Sequence, residues 1–473
     1  PPPPGGPNRD HLEYLRRMKD LEGMPRTKIA PPAEFCKIEA TRRRELPVYV
    51  GELYFQAHRG TYTTQAKTKK GNRNCEFALR EAELWASAAM ALSGSKYPAA
   101  GLFEAWRNVM LNQFHDIIPG SSIARVYAEA EALYAETLAS ARLIAADAAK
   151  ALLSGGRDFV AAFNSLSWNR KALLPLPKGF AGAEQKGCAL PAQAISGTTY
   201  VEAELPSCGW TTLTKAAPVR SEVAVKATAK SLENDLIRVA VNEFGEITSL
   251  RDKASGIEWA AGNLNQMRMY KDVPSAHDAW DIDSTYAANP QELPAKASVK
   301  VLAEGALAGA LKVERKLNSS SRGQEFWLRK GSRVLEFRTT IDWREKHKLL
   351  KVNFPFAVQS NEVVNEIQFG HIKRPNHASR QYDADRYEIC NHKWSAICEE
   401  NRGAALLNDC KYGMNAIGGS LNLTLLRAAQ APVKTAAIGV PTVSSACLVW
   451  DCTVAVSGRI RRSFELSAPA LTV

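Results

Sequence analysis

The stretch "LIRVAVNEFGEITSL" at residues 236–250 sets Ile237, Val239 and Val241 on alternate positions, breaks at Asn242 and Gly245, and resumes an apolar/polar run from Ile247. A period of two residues is that of a strand burying one face, and Gly and Asn are the residues that end such runs. Working outward, "DFVAAFNSL" (158–166), "ALLPLP" (172–177), "VLEFRTTIDW" (334–343), "KLLKVNFPFAV" (348–358), "AALLNDCKYG" (404–413) and "SLNLTLLRA" (420–428) repeat the pattern between Gly, Pro and Asn breaks. The region from about residue 156 therefore reads as antiparallel sheet in quantity: a small β module over 156–220, then a large β-sandwich over 221–473. The last stretch, from Ala431, is low in aromatics and resists patterning.

Upstream, at about 51–155, the period becomes helical. Phe77, Leu84, Trp85, Ala88 and Leu92 mark a helix near 74–92; a second is expected near 98–117 and a third from Ser121 or Ser122 to about Leu153. Pro98 suits a first turn, Pro119-Gly120 a stop, and Ser121 an N-cap. Short connections make this a three-helix antiparallel bundle. Residues 1–50 begin "PPPPGGPNRD", carry two short helical patterns through "HLEYLRRMKDLEG" and "PPAEFCKIEATRRRE" that can bury little alone, and lead into a strand-like "LPVYVGELYF" at 46–55. The fold class is thus multidomain α+β.

With 473 residues, 45% of them hydrophobic, the chain can bury several cores. No run of 18 apolar residues offers a membrane span, and the Pro-rich start is unlike a secretory signal. Nine scattered cysteines without a Cys-x-x-Cys spacing point to free thiols in the cytoplasm. The charge of +12 is spread along the chain, and its densest cluster, Arg42 to Arg44, has no interleaved aromatics, so no nucleic-acid partner is expected.

The chemistry-bearing residues gather at "NQFHDIIPG" (112–120), where the second helix ends. On that helix Leu102, Phe103, Trp106, Val109, Met110 and Phe114 form the apolar face, and His115, nine residues beyond Trp106, points to the opposite side if the helix continues. An exposed imidazole beside Asp116 is compatible with a surface residue, a partner for the helix dipole, or a ligand. One His-Asp pair is too few donors for zinc, and no His-x-x-x-His, His-x-Asp or cysteine cluster supplies more.

The motifs "VGELYFQAHRGTYTTQAKTKKGNRNCE", "LNQFHDIIPGSSI", "LENDLIRVAVNEFGEITSLRDKASG", "DVPSAHDAWDID", "EIQFGHIKRPNH" and "ALLNDCKYG…LTLLRA", in this order, resemble glycoside hydrolase family 38, the class II α-mannosidases, in their cytosolic-type branch. The resemblance spans about residues 5–430. It implies metal-dependent, retaining hydrolysis of terminal α-linked mannose in oligosaccharides, with residues 1–50 a remnant of an α/β catalytic domain, 51–155 the middle bundle, and a mutarotase-like sandwich that diverges after about 430. His115 would be one ligand of a zinc or cobalt ion and Asp116 would bind a sugar hydroxyl, while His58 is a further candidate for sugar contact. A retaining glycosidase needs two carboxyl groups about 5–5.5 Å apart, and in the family both belong to the segment preceding these motifs. No catalytic residue is therefore assigned, and the chain alone is expected to be inactive towards an aryl α-mannoside. A non-catalytic carbohydrate-binding or scaffold protein of the same descent is the alternative. Asp278, Trp280, Asp281 and Asp283 of "DAWDID" could line a glycan groove but are read first as a buried Trp with turn-forming carboxylates. Arg59 is read as a loop anchor, and His371 and His377 as structural.

Overall fold

The computed structural model describes residues 7–42, 47–153 and 159–430 in full and residues 446–457 and 471–472 as backbone. Two compact units divide between Leu53 and Tyr54. The first holds helix α1 (Arg9–Arg17) and helix α2 (Pro32–Thr41), neither with a buried residue. Asn8 caps α1: its side chain accepts from the His11 amide (2.9 Å), and His11 Nδ1 accepts from the Asn8 amide (3.2 Å). The strand expected at 46–55 is absent from its described part. Residues 47–55 join no sheet among the described residues, because alternation makes a strand only where a neighbouring strand takes up its backbone groups.

In the second unit α3 (Ala66–Ser93), α4 (Ala99–Asn112) and α5 (Ala124–Leu152) form the three-helix bundle. α3 begins earlier than its apolar pattern, because its first turns bury the polar residues Thr68, Lys69, Asn72 and Arg73. The shared core is rich in small side chains, Ala82, Ala86 and Ala89 of α3 with Ala141, Ala145 and Ala149 of α5, which lets the helix backbones approach closely. α4 joins through Leu102, Ala105 and Val109, while Phe103, Met110 and Phe114, expected on the buried face, are exposed. Ser121 does not cap α5; Ile123 holds that position, and Ser121 bonds elsewhere.

Trp85 of α3 meets Phe163 edge-on at 5.0 Å, and Phe163 stacks on Trp210 at 5.4 Å, so aromatic packing fuses the bundle to the small β module. That module has a five-stranded and a three-stranded sheet, both antiparallel throughout. The sandwich follows. Its six-stranded sheet runs Pro290–Gln291, Gln266–Lys271, Lys348–Pro355, Ser420–Arg427, Gly413–Ile417, Ile389–Cys390. In the nine-stranded sheet, strand Ala446–Ser457, from the stretch that resisted patterning, lies between Val334–Trp343 and Gly403–Asn408. Phe326, Phe337, Phe354 and Phe356 form a chain of ring contacts through the core, at 5.0, 6.0 and 6.2 Å.

The stretch at 236–250 is the hairpin Ile237–Val241/Ile247–Asp252, with Ile237, Val239, Val241, Ile247 and Leu250 buried. Asn242 Oδ1 accepts from the amides of Phe244 (2.9 Å) and Glu246 (3.0 Å), which closes the turn. Gly245 has φ +70°, and a Cβ there would stand 2.3 Å from Val313 Cγ1, so the turn is pressed onto the strand Ala308–Leu317.

Candidate functional site

α4 stops at Asn112, and residues 113–120 continue as linked turns, with the amides of Ile117 and Ile118 donating to Phe114 O and that of Gly120 to Ile117 O. His115 therefore lies beyond the helix. It is outward-facing, as expected, through the turn and not through helical phase: its side chain is 77% exposed. The ring leans on Phe114 at 4.3 Å, and Nε2 stands 3.4 Å from Asp116 Oδ2. Asp116 is held from its other side, since Oδ1 accepts from Ser121 Oγ (2.9 Å) and its carbonyl from Tyr127 Oη (3.2 Å). Burial pushes the Tyr127 phenol up to about 12, so it stays a neutral donor. One imidazole and one carboxylate oxygen thus face outward together.

The loop carrying His58 is built differently. His58 adopts φ +59° and is exposed; its amide donates to Asp281 Oδ1 (2.7 Å) and its ring touches Phe55 edge-on at 5.4 Å. Arg59 is buried and anchors the loop: Nε donates to Tyr54 Oη (2.9 Å), Nη2 to Asp385 O (2.9 Å) and Nη1 to Gln56 O, and its guanidinium lies 4.4 Å over the Tyr387 ring. The amides of Gly60 and Thr61 both donate to Trp280 O, at 2.7 and 3.2 Å. "DAWDID" is thus a brace: Asp281 holds His58, Asp283 accepts from the Ser275 amide (2.7 Å), and Asp278 from the Gln430 amide (2.6 Å). Trp280 is only partly buried. His371 is exposed on Gly370–Pro375, and His377 Nδ1 lies 3.8 Å from Asp383.

Two residues with no signal in the apolar pattern bring the His58 loop and the His115 turn together. Lys69, fully buried on α3, donates from Nζ to Thr64 O (2.5 Å), Ile118 O (2.9 Å) and Pro119 O (3.2 Å), joining both segments. Burial, with Arg427 nearby, pulls its ammonium down to about 7. Gly120, at φ +96°, lies so close to Thr64 that a Cβ would be 2.6 Å from its carbonyl oxygen. Arg427 fastens this junction to the sandwich: Nε donates to Asp272 Oδ2 (2.8 Å), Nη1 to Thr64 Oγ1 (3.0 Å) and Nη2 to Asp281 O (2.7 Å). Lys69, Asn72, Arg73 and Glu76 recur at helical spacing. That polar stripe is the sequence signal that would have marked α3's buried polar face.

For a metal, His115 and Asp116 together are short of the three or four converging protein donors that zinc takes. Among the described residues no group of three or more His, Cys, Asp or Glu side chains is arranged to hold one. No helix among them is long and apolar enough to cross a membrane.

Residues 56–152 match the alpha mannosidase middle domain and residues 232–435 the glycosyl hydrolases family 38 C-terminal domain. Alpha-mannosidase 2C1 of Homo sapiens is 36% identical over 478 residues, covering 99% of this chain and 45% of the relative; Alpha-mannosidase G of Dictyostelium discoideum is 30% identical, covering 92% and 44%. The chain therefore spans just under half the length of these curated relatives. Among solved structures an alpha-mannosidase from Enterococcus faecalis superposes with a TM-score of 0.73 at 14% identity, over 90% of this chain and 59% of that one, a likeness of fold.

Proposed function

The chain belongs to glycosyl hydrolase family 38, and on that premise we propose that it forms the middle and C-terminal part of a metal-dependent, retaining α-mannosidase that removes terminal α-linked mannose from oligosaccharides. The observation that carries the reading is the outward-facing His115–Asp116 pair, braced through Lys69 to the His58 loop. His115 offers one ligand to a zinc or cobalt ion whose remaining ligands come from outside the described residues. Asp116, with Oδ1 already committed to Ser121, keeps Oδ2 to accept a hydrogen bond from a sugar hydroxyl. His58 lies on the same braced junction and is assigned to sugar contact. The nucleophile and the acid lie elsewhere in the protein. A cytoplasmic setting belongs to the same reading, supported by the scattered cysteines, of which Cys36, Cys75, Cys188, Cys208, Cys398 and Cys410 are free thiols.

The test joins these residues to the N-terminal portion of a cytosolic-type relative and reads metal content by elemental analysis beside turnover of an aryl α-mannoside. The chimera is expected to be active and the isolated chain inactive. His115→Ala should lose metal and activity together. Asp116→Asn should keep the metal and lose sugar binding or transition-state stabilisation, because an amide oxygen is a weaker hydroxyl acceptor than a carboxylate. A metal-replete, fully active His115→Ala chimera would overturn the ligand assignment.

A further inference from the structure

A groove of about 650 Å³ opens on the sandwich and shares no lining residue with the His58 loop or the His115 turn. Its volume is that of a small-molecule site. It is built where the hairpin turn Asn242–Glu246 closes over Arg315 of the nine-stranded sheet and Gln266 of the six-stranded sheet. Arg315 and Glu246 are buried charges in its wall. The guanidinium is fixed, with Nε donating to Ala295 O (2.8 Å), Nη2 to Leu293 O (2.6 Å), and its plane 4.9 Å over the Phe244 ring. Its third nitrogen, Nη1, makes no hydrogen bond and stops 3.6 Å from Glu246 Oε1. Glu246 Oε2 is occupied, accepting from Asn242 Nδ2 (3.1 Å) and Asn263 Nδ2 (2.8 Å). The two charges thus form an ion pair too long for a hydrogen bond, which among the described residues leaves the buried Nη1 without an acceptor in hydrogen-bond contact and Oε1 without a donor.

An orphaned guanidinium N–H in a buried wall is costly, and a polar contact longer than about 3.5 Å is one that a third group can complete. A hydroxyl fits both sides, because it accepts from Nη1 and donates to Oε1 at once. An anion would satisfy the guanidinium and meet the carboxylate with like charge. The rest of the rim is mixed in the same sense. Gln266 has its Oε1 engaged by Arg268 Nε (2.9 Å), which leaves its amide N–H₂ as a donor, while Asn263 keeps its carbonyl oxygen as an acceptor. Met267 and Tyr270 supply apolar surface beside these groups.

We propose that this groove is a second, non-hydrolytic binding site for a pyranose sugar, with vicinal hydroxyls bridging Arg315, Glu246, Asn263 and Gln266. Its occupancy does not depend on the hydrolytic reading of the His115 turn.

The full 473-residue chain, labelled with 13C-methyl methionine, is titrated with a panel of methyl pyranosides that includes methyl α-mannoside, and separately with inorganic phosphate. At least one pyranoside is expected to shift the Met267 and Met269 methyl signals saturably, and phosphate to leave them unmoved. Gln266→Ala and Asn263→Ala, changes at the groove rim that spare the buried arginine, should each weaken that binding by about tenfold, one hydrogen bond's worth. His115→Ala should leave it unchanged, which separates this site from the candidate hydrolytic one. The proposal is overturned if no pyranoside moves those signals up to its solubility limit, if phosphate moves them instead, or if binding survives both rim variants and is lost in His115→Ala.

Discussion

Lys69 is the side chain on which the geometry of the His115 turn most directly depends, since its ammonium holds carbonyls from both loops. Its folded value of about 7 lies below the ordinary lysine value of 10.5, so between these limits the unfolded chain binds a proton that the folded chain does not. Stability contributed by this group must therefore rise with pH from about 7 upward, at no more than about 1.4 kcal/mol per unit. Urea unfolding of wild type and Lys69→Met between pH 7 and 8.5 isolates the effect. The wild type should gain on the variant as pH rises, and parallel curves would refute the assignment. The outward placement of His115 was legible at this scale, whereas the ligand role proposed for it and the sugar-binding role proposed for Asp116 come from the family resemblance and not from the residue pattern. Lys69 was missed because a lysine among other lysines in "AKTKKGNRN" looks like a solvated face; the helical stripe it shares with Asn72 and Arg73 marks a polar face, and the folded loops above it supply the three acceptors.

The elements were read well where apolar residues are large and periodic, and poorly where packing relies on small or polar ones. On α4 the expected face included Phe103, Met110 and Phe114, yet the bundle receives Leu102, Ala105, Val109 and Asn112. Ala105 and Asn112 carry no hydrophobic emphasis, but their small or narrow side chains fit where neighbouring helices crowd. The same crowding appears on α3, where a Cβ at Gly71 would fall 2.5 Å from Tyr134 Cδ2 and 3.1 Å from its Cβ. Tyr134 is buried and would have to shift at its root, so no rotamer change relieves the contact. In an exposed helix Gly→Ala is worth about 1 kcal/mol of stabilisation. Here the overpacking should win, and Gly71→Ala is expected to destabilise by about 1–3 kcal/mol in thermal or urea melts. A stabilised variant would mean that α3 and α5 do not meet this closely. For the strand expected at 46–55, alternation alone was the evidence, and its described part, 47–55, joins no sheet among the described residues.

Across the whole molecule, the layout of a bundle followed by a small β module and a large sandwich follows from the change of period along the chain. What the period could not convey is how the sandwich reaches the bundle. Arg427 does this, with Asp272 and the 279–281 segment on one side and Thr64 on the other. The Arg427–Asp272 pair is almost wholly buried, so removing one partner strands the other charge, a loss of about 3–5 kcal/mol. Arg427→Met should therefore destabilise strongly, and Arg427→Met/Asp272→Asn less than Arg427→Met alone, because the stranded carboxylate is gone. If the pair served the sandwich only, amide exchange at Gly60 and Thr61 would be indifferent to it. Because Arg427 also holds Thr64 and the Asp281 carbonyl beside Trp280, the acceptor of both amides, those two amides should lose protection in Arg427→Met under native conditions. The double variant should restore overall stability in part without restoring that protection. Unchanged exchange at Gly60 and Thr61 in a folded Arg427→Met protein would show that the His58 loop is positioned independently of the sandwich.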